Sequence, residues 1–204
     1  ADSKDNKDLP DIVPRLKTRL NKRSLFWQNL LADTGYSSGE NYAFLEKENL
    51  ASYNPPHGTY KGGPEGFTYH KEEDYFRCKQ GEIIPFKKVF KDYRTETLKK
   101  EYRSSSKQCK GCPMASTCLG KTAKEKRITV TYYRAEYERN NKRVQSKRGK
   151  YLKRKRQSTV EPVFGTLTQF MGMRKINTIG IKQANKVMHL AAMAYNTSTS
   201  SAQA

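Results

Sequence analysis

The sequence predicts an α/β protein carrying a β-rich insertion and ending in helices. Three patterns predict it: a helix, strand, helix order over the first fifty residues, a run of short β-like segments around a group of cysteines, and helical periodicity toward the end. Leu9, Ile12, Val13, Leu16 and Leu20 recur at helical spacing, so the chain is expected to open on an amphipathic helix. Ser24 to Ala32 is a short apolar run suited to a buried strand, with Asp33 at its exit. Ser37 and Glu40 have capping-box spacing and predict a helix through Tyr42, Phe44, Leu45 and about Glu48. Prolines and glycines between Pro55 and Gly66 break regular structure and mark a boundary. Beyond it, Asp74–Cys78, Gly81–Phe86, Leu98–Tyr102 and Arg127–Tyr133 read as small antiparallel strands. From Arg134 the pattern turns helical, with a long basic helix to about Arg156. Two amphipathic helices follow, one carrying Val160, Val163, Phe164, Leu167, Phe170 and Met171, the other Ile181, Ala184, Val187, Met188, Ala191, Ala192 and Tyr195. The expected organisation is 1–57 as the first part of an α/β core, 58–133 as the insertion, 134–196 as the helices completing the core, and 197–204 as a polar, disordered tail.

A chain of 204 residues with 35% hydrophobic and 11% aromatic residues can bury an ordinary core, so it is not disordered throughout. Forty Lys and Arg against twenty Asp and Glu leave a net charge of +20, which argues for a polyanionic partner and against a free-standing enzyme of small metabolites. Residues 1–60 are neutral, so all the excess lies beyond them. Arg139 to Arg156 holds ten bases and no acid. A solvated charged face mixes signs; this run reads as a track for a nucleic-acid backbone, with Lys142, Arg143, Lys147, Arg148, Lys153, Arg154, Lys155 and Arg156 as its contacts. They would position DNA without reading bases. Tyr132, Tyr133, Tyr137 and Tyr151 lie among these bases, available for stacking on unpaired bases or for ordinary packing. No apolar stretch is long enough to span a membrane and no secretory signal opens the chain, so a cytoplasmic location without a membrane partner is expected.

Phosphodiester displacement needs carboxylates gathered in space around divalent cations. Asp33 is a candidate because strand exits of α/β layers collect ligands and Gly35 lets the backbone turn behind it; the plainer alternative is an Asp that caps the following turn. Glu161 is the second candidate, directly after a cluster of bases that would lie against phosphates; its plainer alternative is a capping box formed with Ser158, with Pro162 in the first helical turn. Cys109, Cys112 and Cys118, with Cys78 upstream, supply four soft ligands. Tetrahedral Zn²⁺, an iron–sulfur cluster and spare reduced thiols all fit that set. His57, His70 and His189 read as structural or surface residues.

The motif Leu31-Ala-Asp33-Thr-Gly35-Tyr36, with Ser37 to Asn41 behind it, followed far downstream by Arg156-Gln-Ser-Thr-Val-Glu161-Pro-Val-Phe164-Gly165, resembles the DDE transposases of bacterial insertion sequences. The resemblance extends from about Leu9 to Asn196, including the Cys-x-x-Cys-Pro segment and the closing helix. It implies a ribonuclease H-like core, here partial, with the stretch between the two acids holding the insertion. It implies Asp33 as the second catalytic Asp and Glu161 as the catalytic Glu, both binding Mg²⁺ or Mn²⁺ so that water and then a DNA 3′-hydroxyl attack phosphorus. Double-stranded transposon ends and target DNA would be the partners, a homodimer a further possibility, and the bacterial nucleoid the place of action. The family's first catalytic Asp precedes the point where this chain starts, and Asp2, Asp5, Asp8 and Asp11 do not replace it. The chain is therefore expected to be the C-terminal part of a catalytic domain, incomplete by itself. Thr168 stands where many relatives have a Lys that holds the DNA end. Three rival readings remain: an inactive remnant, a non-catalytic basic module with a four-cysteine metal site, and an RNA-associated protein.

Overall fold

The computed structural model describes residues 7–58 and 63–201, and the chain divides into two compact units, Ala1–Ser146 and Lys147–Ala204. In the first unit, helix α1 (Leu9–Asn21) and helix α2 (Gly39–Lys47) enclose a small core of Leu9, Val13, Leu45 and Leu50, with Trp27, Leu30, Tyr36 and Phe44 packed around it. Of the expected α1 stripe, Leu9 and Val13 are buried while Ile12 and Leu16 are exposed, and on α2 Tyr42 and Leu45 are the buried apolar residues. The α2 cap falls one residue later than expected. Ser38, not Ser37, accepts the Asn41 N–H (3.1 Å), while the Ser37 hydroxyl shares a 2.8 Å hydrogen bond with Tyr42.

The expected buried strand over 24–32 shrinks to β1 (Asn29–Leu30), which pairs in parallel with β2 (Ala51–Ser52). Ser24 turns the chain with a φ of 55°, Phe26 is 82% exposed, and only Trp27 and Leu30 reach the core. An apolar run gains burial only where the backbone faces a partner, and here the first half of the run has none among the described residues.

A five-stranded antiparallel meander follows, its strands in sequential order: β3 (Phe67–His70), β4 (Tyr75–Cys78), β5 (Ile83–Lys91), β6 (Leu98–Arg103) and β7 (Arg127–Thr131). Its core is one residue from each of four strands, Phe76, Ile84, Tyr102 and Ile128, each under 3% exposed. Asp74 turns β3 into β4 at a φ of 52°, unusual for a residue with a side chain, and is pinned there. Its carboxylate accepts from the hydroxyls of Tyr69 (2.8 Å) and Tyr102 (2.5 Å) and from the Lys100 ammonium (2.9 Å). Burial alone would raise the Asp74 carboxyl, but these three donors outweigh it and hold the group below its usual value. On β6, Glu101 is 1% exposed between the guanidinium groups of Arg103 and Arg127.

Helix α5 (Arg134–Gln145) leaves the sheet and packs on α2. The Arg134 guanidinium lies 3.9 Å from the centre of the Tyr69 ring, and Tyr133 sits so close to Gly39 that a Cβ there would fall 2.5 Å from the tyrosine's own. Glu46 on α2 accepts from Arg139 (2.6 Å) and Arg143 (2.9 Å) on α5. The single basic helix expected to Arg156 is broken: Ser146 is extended (ψ 161°), donates its hydroxyl to the Arg143 carbonyl at 2.6 Å, and ends α5.

In the second unit α6 (Lys147–Gly165) runs into a π-helical turn (Thr166–Phe170), and α7 (Ile181–Ser201) follows Gly180, whose φ is 84°. On α7 Ala184, Val187, Ala191 and Tyr195 turn inward, whereas Ile181, Met188 and Ala192 of the expected stripe are exposed. The expected tail is corrected in part. Residues 197–201 continue α7, with the Thr197 hydroxyl donating to Ala194 (2.9 Å) and that of Ser198 to Tyr195 (2.9 Å); polar side chains bonded back to the helix need no outside partner. Residues 202–204, and 59–62 of the proline- and glycine-rich boundary, lie outside the described residues. The mixed α/β class is observed.

The Arg139 hydrogen bond holds the Glu46 carboxyl below its ordinary value of 4.5, with Arg143 adding to the effect against partial burial. A depressed folded pKa contributes stability that is fully present above the ordinary value and is lost as pH falls through the lower folded one. Glu46→Gln is expected to cost about 1 kcal/mol near neutral pH and less than that well below the ordinary glutamate value. Urea unfolding of both proteins at the two pH values checks it, and an equal cost at both would refute the α2–α5 ion pair.

Candidate functional site

Asp33 lies three residues beyond β1, exposed to solvent. Its Oδ1 accepts the Gly35 N–H at 2.9 Å and caps the 3₁₀ turn Thr34–Tyr36, so the turn-cap alternative is realised. That uses one oxygen. Oδ2 has no partner among the described residues, which leaves a hard carboxylate donor facing solvent.

The backbone just before Asp33 is held by a buried set of amides. The Ala32 N–H donates to Asn54 Oδ1 at 2.9 Å, and Asn54 is fully buried. The Asn54 carbonyl in turn accepts from Asn140 Nδ2 on α5 (2.8 Å) and from the Tyr42 hydroxyl on α2 (3.2 Å). Asn140, also fully buried, accepts from the Ser52 hydroxyl of β2 at 2.8 Å. Burial pushes the Tyr42 hydroxyl up to about 12, so it stays protonated as the donor this arrangement needs. Two helices and both short strands thus converge on the peptide that carries Asp33. Sequence reading passed over Asn54 and Asn140 because isolated asparagines in a polar chain look like surface residues.

Glu161 lies in the second unit, well inside α6 rather than at a helix start. The Ser158 capping box does not form: α6 continues through it with Pro162 inside the helix, and the hydroxyls of Ser158 and Thr159 donate to the Lys155 carbonyl at 3.0 and 2.8 Å. Glu161 is exposed and has no ion-pair partner among the described residues. It is the single acid in residues 147–204, where eleven Lys and Arg surround it in sequence. A capping role is thereby removed for Glu161, whereas Asp33 has one.

The basic run is split by the break at Ser146. Lys142 and Arg143 are on α5; Lys147, Arg148, Lys153, Arg154, Lys155 and Arg156 are on α6. Arg143 is half-buried and bound to Glu46, so it ties α5 to α2. The other seven have no acidic partner among the described residues, and all but Arg156 are exposed. Tyr137 packs edge-on against Tyr42 (4.9 Å between ring centres) and Tyr133 against Tyr132 (5.2 Å), the packing use, while Tyr151 is 54% exposed. His70 stacks on Tyr75, and His189 is exposed.

The four cysteines are free thiols, half-buried, and line one cavity of about 320 Å³. Among the described residues no three His, Cys, Asp or Glu side chains lie close enough together to form a ready metal centre. No helix among them is long and apolar enough to cross a membrane.

Removing the Asn140 amide leaves the Ser52 hydroxyl and the Asn54 carbonyl each short of a partner. Asn140→Ala is expected to lower stability by about 1–3 kcal/mol in urea unfolding; a change indistinguishable from zero would show that water replaces the amide and that it does not anchor the Asp33 peptide.

No curated protein and no solved structure matches the chain significantly. A family model described as a transposase DDE domain matches residues 77–199, from the middle of β4 to the end of α7, including Glu161 and all four cysteines but not Asp33. With well over half of its 204 residues matched, the chain belongs to the DDE transposase family.

Proposed function

We propose that this chain forms the later part of a transposase catalytic domain, gripping transposon-end DNA through the bases of α5 and α6 and contributing Asp33 and Glu161 to a divalent-metal site for strand cleavage and transfer. The observation that carries the reading is the charge pattern of α6. Its bases have no acidic partner among the described residues, so their charge is available to phosphates, and the one carboxylate they accompany is equally unshared. With no ion pair of its own among the described residues, Glu161 could face a reacting phosphorus beside phosphates held by the neighbouring bases. A ribonuclease H-like arrangement of the core belongs to this proposal.

Mg²⁺ or Mn²⁺ suits the donors, which are hard carboxylate oxygens; when bound, the ions lower the pKa of the attacking oxygen's proton and offset charge on the leaving one. The chain's own part is positional. The Asn54 and Asn140 amides fix the peptide leading into Asp33, Gly35 orients one carboxylate oxygen, and the other remains available. Lys153, Arg154, Lys155 and Arg156, on the turns preceding Glu161, would hold the phosphate backbone within reach of that carboxylate. Arg143 is left to its structural pairing.

In a protein carrying all three acids, Asp33→Asn and Glu161→Gln are each expected to lower cutting of transposon-end DNA by at least about 100-fold, with DNA affinity within about twofold of the parent. Cleavage that persists in both variants would reject the assignment and leave the non-catalytic DNA-binding reading. For this chain alone, iron(II) with ascorbate offers a direct probe: local radical cleavage of the polypeptide is expected near both Asp33 and Glu161. Cuts at one site only would separate the two acids.

Replacing Lys153, Arg154, Lys155 and Arg156 together by Gln is expected to flatten the slope of log affinity against log salt by up to about 3 to 4. An unchanged slope in a DNA-binding titration would move the backbone contact elsewhere.

A further inference from the structure

We propose that Cys78, Cys109, Cys112 and Cys118 form a structural zinc site that clamps the connection between β6 and β7 onto the β4–β5 hairpin. Cys78 lies far ahead of the other three in sequence, yet all four line the same cavity of about 320 Å³, together with Phe67 and Ile84 from the sheet. Cys78 ends β4 and is held at the hairpin, its N–H donating to the Glu82 carbonyl at 3.0 Å. The other three come from the connection. Cys109 closes the short helix α3 (Ser106–Cys109), Cys112 follows a turn made possible by Gly111 at a φ of 78°, and Cys118 closes the short helix α4 (Ala115–Cys118). The Cys112 N–H points back at the Cys109 carbonyl (3.4 Å), so the two thiols leave a tight turn as a pair.

The connection needs such a clamp. From residue 104 to residue 126 only Ser104 is buried, and two four-residue helices are all the regular structure. Segments of this length without a core of their own are uncommon in compact folds. Protein contacts tether it at few points: Gln108 Nε2 donates to Glu82 (2.9 Å) and to the Ile83 carbonyl (3.1 Å), and the Lys126 ammonium donates to the Cys118 carbonyl at 2.7 Å. Zinc bound by four thiolates would join the interior of this segment to the sheet and supply folding free energy directly. Lys126 lines the same cavity, placing a cation where four thiolates around one divalent ion leave excess negative charge. The thiols do not stand in coordinating geometry as they are. Binding requires the thiols to gather from this arrangement, in which the Cys109 thiol shares a 3.2 Å hydrogen bond with the Ser104 hydroxyl. Zinc asks only for tetrahedral thiolates and brings no geometric preference of its own.

This inference stands apart from the transposase reading, because metal content is measured without DNA. The chain is produced in zinc-supplemented medium and its metals are determined by mass spectrometry. About one zinc per chain is expected, with a chelator lowering the melting temperature and exposing four thiols to a thiol reagent. Cobalt(II) added to the stripped protein should give the intense sulfur-to-metal charge-transfer and red ligand-field bands of tetrahedral thiolate coordination, a readout that needs no variant. Cys78→Ser and Cys112→Ser are each expected to weaken zinc binding at least about 100-fold in competition with a chromogenic chelator. Absence of zinc with no cobalt bands overturns the proposal. So does iron with equimolar sulfide, which would assign a cluster instead, and so does zinc binding unchanged by both substitutions.

Discussion

The placement of the first unit's candidate acid rests on two buried asparagines. Asn54 and Asn140 replace, with side-chain amides, the ladder that a longer strand pair would provide: β1 and β2 pair over only two residues each, and the Asn54 side chain takes up the next N–H, that of Ala32. A buried amide without partners is costly, so the geometry that satisfies most of these groups at once is strongly selected over its neighbours. That selection brings α5, α2 and β2 to the same point and leaves Asp33 at the exit with its backbone fixed.

Charge is distributed by the same logic. In the first unit several acids are engaged: Glu46 binds Arg139 and Arg143, Asp74 binds Lys100, Asp92 binds Lys99, and Glu101 lies between Arg103 and Arg127. These pairs use bases to tie elements together, and the hydrogen bond from Lys99, with two backbone N–H groups, holds the Asp92 carboxyl down at about 2. In the second unit one acid accompanies eleven bases, so the positive charge has no internal use. A surface of that kind is stabilised by an external polyanion. Beyond Ser146, where the basic helix breaks, no base has an acidic partner among the described residues.

Elements whose burial pattern is periodic were legible. Leu9 and Val13 on α1, the strand segments on either side of the cysteine-bearing connection and the inward residues of α7 follow directly from spacing, because one face of each must leave water. Capping signals were less reliable. Ser37 and Ser158 each have the right spacing, yet Ser37 is drawn to the Tyr42 hydroxyl and Ser158 bonds back to Lys155 within a continuous helix. The run from Ser24 to Ala32 misled for a related reason: hydrophobicity states that a segment can be buried, not that a partner faces it. Of the candidate site, Asp33 at a strand exit, the basic run and the four cysteines were visible as residue types at telling spacings.

What the sequence by itself determined is the chemistry on offer: the periodic faces, the excess of cations from Arg139 onward, two acids in recognisable motifs and four thiols. Only tertiary structure decided which groups are already engaged. It assigned Arg143 to Glu46, gave Asp33 one oxygen to a turn and left the other, left Glu161 without an ion-pair partner among the described residues, and drew Cys78 to one cavity with the three cysteines of the β6–β7 connection. The reason is that engagement depends on contacts between residues tens of positions apart, and a linear pattern carries the identity of each partner but not the fold that brings them within a hydrogen bond's reach.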